Sequence, residues 1–214
     1  MNGVGQSMSI KSFDDINEIH IDVLREIANI GSGNAASALS RMLAQPVEIA
    51  IPDIRIRGFN EACEVLGGPE AIMVGVLLTL AKSLSGMIMF LLPVDVVCDL
   101  VNILTGSNIK RQSDIDEMGF SAIREVANIM SGSFVGAISD MTNMPIDISP
   151  PEYTLDMLGS IMSVPSIYYA KISDTLLLIE NELEIAGNKT RASVMMLPDI
   201  PSLEKLMGSL GIDV

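Results

Sequence analysis

The chain has 214 residues, 49% of them apolar but only 4% aromatic, with a formal net charge of −14. Such acidity argues against binding a nucleic-acid backbone or an anionic lipid surface, both of which need basic patches. The core must be aliphatic, and the length suffices for one large domain or two small ones.

Residues 1–11 are polar and rich in Gly and Ser, and are expected to be disordered. They hold no apolar stretch of the signal-peptide kind, which favours a cytoplasmic protein. Ser12 or Asp14 is placed to cap a helix. From 16 to 43 apolar residues recur at helical spacing without proline, interrupted only by Gly31-Ser32-Gly33. Those glycines mark either close approach of another backbone or a break. Lone His20 near the helix start reads as a surface residue.

Alternation over 47–56 predicts a strand, with Pro52 requiring an edge or a bulge. A short helix over 59–66 stops at Gly67-Gly68. Residues 72–80 and 86–92 read as strands, and 93–104 as a helix ended by Gly106. The apolar run 87–97 contains Pro93 and Asp95 and is too short to span a membrane. Cys63 and Cys98 have no CxxC partner and read as buried thiols in a reducing compartment, with no metal site.

The order then repeats. Ser113 is placed to cap a helix over 114–141, followed by a strand at 146–148. Residues 153–162 read as an amphipathic helix. Residues 167–172, 176–185 and 193–197 read as strands, with a turn at Gly187-Asn188 and a closing helix over 203–210.

At a shift of 99, residues 15–52 align with 114–151 without a gap. Identities include Arg25/Arg124, Glu26/Glu125, Ala28/Ala127, Asn29/Asn128, Gly33/Gly132, Pro46/Pro145 and Pro52/Pro151. A repeat this long is a duplicated helix–strands–helix unit rather than a solenoid turn. The fold class is α/β of the α+β kind. Two units share a mainly antiparallel sheet about a pseudo-twofold axis, with helices covering it. Residues 12–214 form one domain from repeats of about 12–107 and 111–214.

Positions 22, 26 and 29 fall on one helical face, with Val23, Ile27 and Ile30 pointing inward. Asp22, Glu26 and Asn29 form a polar stripe, and Ser121, Glu125 and Asn128 form its twin. One Glu on a helix face is ordinary. Asn is a poor interior helix residue, and its recurrence beside Glu in two equivalent helices points to function. The sequence offers no Ser/His or Cys/His set and no phosphate loop of the Walker type. A carboxamide can orient a water, as the Gln of GTPases does, and a carboxylate can pair with a partner's Lys.

The pattern Asp/Ser-x3-Glu-x2-Asn, with Pro 23 positions after the Asn, occurs at Asp22, Glu26, Asn29, Pro52 and at Ser121, Glu125, Asn128, Pro151. On these residues the chain resembles the CheC/CheX/FliY family of chemotaxis phosphatases, over about 15–211. Two motifs without a further domain resemble its CheC branch. The resemblance implies hydrolysis of the aspartyl phosphate on the response regulator CheY. Asn29 and Asn128 would position the attacking water, and Glu26 and Glu125 would hold the regulator through a Lys. Asp22, Ser121, Pro52 and Pro151 would support the motif. Mg²⁺ would belong to the regulator, and the protein would need no cofactor of its own. A second implied partner is the receptor deamidase CheD, docking around Asp156 on 153–162. A monomer is expected. The alternative is a non-catalytic interaction protein of the same fold, binding CheD or flagellar switch components.

Overall fold

Two Asx caps start the two longest helices. In the computed structural model, which describes residues 10–169, 174–185 and 187–212, these helices are α1 (Glu18–Leu43) and α4 (Glu117–Thr142). Asn17 Oδ1 accepts from the Ile19 and His20 N–H groups at 3.0 and 3.2 Å. Asp116, its equivalent, accepts from the Gly119 N–H at 2.9 Å. Each satisfies donors that a helix start leaves orphaned. The starts expected at Ser12 or Asp14 and at Ser113 are corrected: the chain there makes 3-10 turns, Phe13–Asp15 and Gln112–Asp114. The first turn drives Phe13 into the core, and Ile10, expected to be frayed, is buried as well.

His20 is likewise not a surface residue. It is 4% exposed, and its Nδ1 accepts from the Asn17 N–H at 3.1 Å, completing a capping box. Both long helices are continuous. Gly31 permits this at the α1–α4 crossing, since a Cβ there would lie 3.1 Å from the Phe134 Cα. Of the apolar residues flanking the stripe, Ile27 is buried, but Ile30 is 36% exposed and does not point inward.

The strand expected over 47–56 is two, β1 (Val47–Ile49) and β2 (Asp53–Gly58), with Pro52 at the bend between them. Next come α2 (Phe59–Val65), β3 (Ile72–Lys82), β4 (Gly86–Pro93) and α3 (Val94–Thr105). The second repeat supplies β5 (Ile146–Ile148), β6 (Glu152–Met157), α5 (Leu158–Tyr169), β7 (Thr175–Ile185), β8 (Asn188–Pro198) and α6 (Ile200–Ser209).

Two predicted elements are wrong. Residues 153–162 are not one helix: 153–157 belong to β6, where Tyr153 and Leu155 face the larger core at strand spacing. Nor do 167–172 form a strand, since α5 runs through Tyr169, and 170–173 lie outside the described residues. Pro165 argues locally against that helix. Burial of Leu158, Ile161, Met162, Pro165 and Tyr169 on one helical face outweighs it.

The strands form one antiparallel sheet in the order β1-β7-β8-β4-β3-β5, with β2 also on β7 and β6 also on β3. The order maps onto its own reverse when the repeats are exchanged, so the pseudo-twofold axis passes between β4 and β8, near Met89 opposite Met195. Each half lends its β1–β2 or β5–β6 segment to the other half's long strand. Gly86 starts β4 at φ +138°, and a Cβ there would meet the Leu197 carbonyl oxygen, so this tight crossing accepts only glycine.

Both faces of the sheet are covered. Ile88, Phe90 and Leu92 join the core beneath α1, α3, α4 and α6, while Met87, Met89 and Leu91 join a smaller one beneath α2 and α5. Each fully buried side chain of this size contributes about 1.5–3 kcal/mol of transfer free energy. Double burial explains why β4 reads as an unbroken apolar run rather than an alternating one.

Candidate functional site: two helix stripes

The packed sides of α1 and α4 fix what remains outside. On α1, Leu24, Ile27, Ala28 and Gly31 are buried, which turns Asp22, Glu26 and Asn29 outward, all exposed. On α4, Ile123, Val126, Ala127 and Met130 are buried, and Ser121, Glu125 and Asn128 are exposed. The two stripes lie on helices packed against each other on one side of the sheet. Each sits in its helix's first half, held by the rigid body of the helix rather than by a loop.

The prolines of the motif are not on the stripes. Pro52 is buried between β1 and β2, and Pro151 is half-buried between β5 and β6. They set the bend by which each short strand passes to the other half's long strand. Asp156 is placed elsewhere again, near the end of β6 and just before α5. There it accepts from the Ser160 hydroxyl at 2.8 Å and the Met157 N–H at 2.7 Å. These bonds, the hydroxyl's first, hold its carboxyl below the usual range. Of the apolar residues near it, Leu158, Ile161 and Met162 are core. The exposed apolar groups of that face are Met157, Val164, Ile167 and Tyr168.

An open depression of about 500 Å³ adjoins the first stripe, lined by Ile16, Asn17, Glu18, Ile21, Asp22 and Arg25. Neither cysteine is a candidate nucleophile here. Cys63 and Cys98 are buried, and burial raises both thiols above their ordinary value. Burial also lowers His20, away from the stripes' exposed face. Among the described residues no group of three His, Cys, Asp or Glu is placed to hold a metal ion. What the stripes offer is a carboxylate and a carboxamide on a rigid, exposed helix: groups whose chemistry allows pairing with a cation and hydrogen bonding to a water.

Residue-by-residue reading of the sequence passed over the arginines as site elements, although both are identical between the repeats. Arg25 pairs with Asp22 across one turn. Arg124 instead lies over the Tyr153 ring, 5.2 Å from its centroid, and Tyr153 stacks on Phe120 with centroids 4.9 Å apart and planes at 17°. The missed signal was the contrast at matching positions, where the first repeat has Ile21 and Ile54.

A duplicated α+β domain with a Glu-x-x-Asn stripe on each long helix is the class these observations define. The sequence model of the CheC-like family matches residues 19–56 and 118–154, the two helix–strand segments just described. The chain is similar to the CheY-P phosphatase CheC of Bacillus subtilis (strain 168), 29% identical over 203 residues, covering 93% of this chain and 97% of that protein. It is also similar to the flagellar motor switch phosphatase FliY of the same organism, 28% identical over 159 residues. That match covers 72% of this chain but only 41% of FliY. Among solved structures, Thermotoga maritima FliY shares the fold at TM-score 0.74 and 23% identity, covering 92% of this chain and 98% of that one. So does a chain of the FliG–FliM complex from H. pylori, at TM-score 0.70 and 11% identity, covering 88% and 99%. No helix among the described residues is long and apolar enough to cross a membrane.

Proposed function

We propose that the protein is a chemotaxis phosphatase that hydrolyses the aspartyl phosphate of a CheY-type response regulator. The observation that carries this reading is the exposed Glu-x-x-Asn stripe, present on both long helices of a CheC-like chain. The similarity to the CheY-P phosphatase CheC, which extends over 93% of this chain, supports it.

In this reading each helix is inserted against the phosphorylated face of the regulator. The Asn29 or Asn128 amide holds a water in line with the phosphorus and the leaving aspartate oxygen. The water oxygen bonds to phosphorus as the bond to the aspartate oxygen breaks. The carboxylate leaves with the electron pair, and the water's protons pass to the phosphate and solvent. Glu26 or Glu125 anchors the regulator through a Lys, and Asp22 and Ser121 flank the contact. Mg²⁺ remains the regulator's own. Catalysis of this kind is positioning and electrostatics rather than covalent chemistry. The receptor deamidase CheD is proposed to dock at the face bearing Asp156, Met157, Val164, Ile167 and Tyr168.

A second reading, a binding module without catalysis, is favoured by the likeness to the FliG–FliM structure. One experiment separates them: the phosphate lifetime of a CheY-type regulator, phosphorylated with acetyl phosphate, with and without the protein. A shortened lifetime supports the phosphatase. Binding with an unchanged lifetime supports the module.

A further inference from the structure

Arg25 and Arg124 stand four residues before Asn29 and Asn128, at the edge of each stripe on the asparagine side. Their surroundings differ in a way that three positions of one repeat share. Arg25 is bound to the Asp22 carboxylate, so the first stripe carries an ion pair with no net charge. In the second repeat Ser121 replaces that carboxylate, and among the described residues Arg124 makes no ion pair. Phe120 and Tyr153, where the first repeat has Ile21 and Ile54, form the stack beneath it. Arg124 is therefore an exposed cation, held by a flat aromatic surface rather than by an opposite charge.

The exposed ion pair stabilises the fold little, whereas Phe120 and Tyr153 are half-buried against the larger core and hold the ring surface in place. Their difference lies in the field each stripe presents. The protein carries −14, and a phosphoryl group is anionic, so overall approach is repulsive. A fixed guanidinium within one helical turn of Asn128 offsets that repulsion where the partner lands. Held against Tyr153, it also loses less side-chain freedom on contact. At the first stripe Asp22 cancels the same effect.

We propose that Arg124, held by the Tyr153–Phe120 stack, is a positioning residue that draws the phosphorylated regulator to the second stripe, and that Asp22 silences its counterpart at the first. The two sites are thus unequal in association and alike in chemistry. The inference rests on the phosphatase reading above.

The test uses the full chain with one site removed, Asn29→Ala leaving the second and Asn128→Ala leaving the first. Hydrolysis of the acetyl-phosphate-labelled regulator is followed at low and high ionic strength. Adding Ser121→Asp to Asn29→Ala lowers kcat/KM at low salt by roughly fivefold, through KM with kcat unchanged, and the deficit closes at about 1 M salt. Adding Asp22→Ser to Asn128→Ala has the opposite effect. Tyr153→Ile follows Ser121→Asp, while Tyr153→Phe, which keeps the ring, matches its parent. Unchanged kcat/KM and salt slope in the Ser121→Asp and Asp22→Ser variants would overturn the proposal; both positions are exposed, so folding is not at issue. Affinity for beryllofluoride-loaded regulator reads the same contrast without hydrolysis. Salt-sensitive binding with no turnover removes the phosphatase reading and leaves the arginine's docking role standing. Absence of any binding removes both.

Discussion

Asn29 and Asn128 are exposed and sit mid-helix, where Ala is the better helix former. Replacing both with Ala should therefore leave the melting temperature unchanged or slightly raised. It should slow regulator dephosphorylation on the order of 100-fold, the cost of losing an oriented nucleophile. Thermal unfolding alongside phosphate-release kinetics checks both halves, and a fold that survives with full activity would exclude the asparagines. His20 carries the clearest pH dependence. Its Nδ1 accepts the Asn17 N–H, and its Nε2 is buried without a hydrogen-bond partner among the described residues. Burial lowers its pKa below the ordinary 6.5, so the unfolded chain takes up the proton first as pH falls. The capping contribution is whole above pH 6.5 and is lost as pH drops through the lowered folded value. His20→Gln keeps an acceptor at the capping-box position without titrating. Urea unfolding across that interval should show a steeper loss for the parent than for the variant. The stripes were legible in sequence because duplication marked Glu and Asn twice over. His20 was not: capping from the third helical position leaves no periodic trace.

At the level of elements, helices were easier to read than their ends. The 26-residue helices announce themselves by spacing, but Ser12 and Ser113 are as good caps by type as Asn17 and Asp116, and only packing of the 3-10 turns decides between them. In β6 and α5 the apolar residues of a short strand run directly into those of a helix. Periods of 2 and 3.6 cannot be told apart over so few positions. The glycines of α1 and α4 test the packing account. Gly31 faces Phe134, whereas Gly33 and Gly132 are exposed and a Cβ at either meets nothing within 4 Å. Gly33→Ala and Gly132→Ala should each stabilise by about 1 kcal/mol through helix propensity. Gly31→Val must push against the Phe134 backbone and should destabilise by about 1–3 kcal/mol. Chemical denaturation of the three variants is sufficient, and a neutral Gly31→Val would mean that the α1–α4 crossing is looser than described.

For the molecule as a whole, the exchange of strands makes each half dependent on the other: β1 and β2 lie on β7, and β5 and β6 on β3. A symmetric dimer of either repeat alone would satisfy the same backbone pairing, since β4 and β8 meet about the pseudo-twofold axis. The side chains forbid it. At the helix crossing Gly31 lies against Phe134, and the repeat relation matches these with Met130 and Ala35, all four lining one space of about 20 Å³. Small residues come from the first half and large ones from the second. A dimer of first halves would set Gly31 against Ala35 twice, and losing Phe134 from the crossing alone is comparable to Phe→Ala, about 3–5 kcal/mol. A dimer of second halves would force Met130 against Phe134 twice. Fragments 1–108 and 109–214 should therefore each lack a cooperative unfolding transition, yet form a one-to-one complex with native-like circular dichroism when refolded together. Size-exclusion chromatography with light scattering distinguishes the outcomes. A folded monomer or stable homodimer of either fragment would show that the duplication has kept its halves self-sufficient. The expected heterodimer would show that divergence at the crossing fixed the two repeats in one chain as unlike partners.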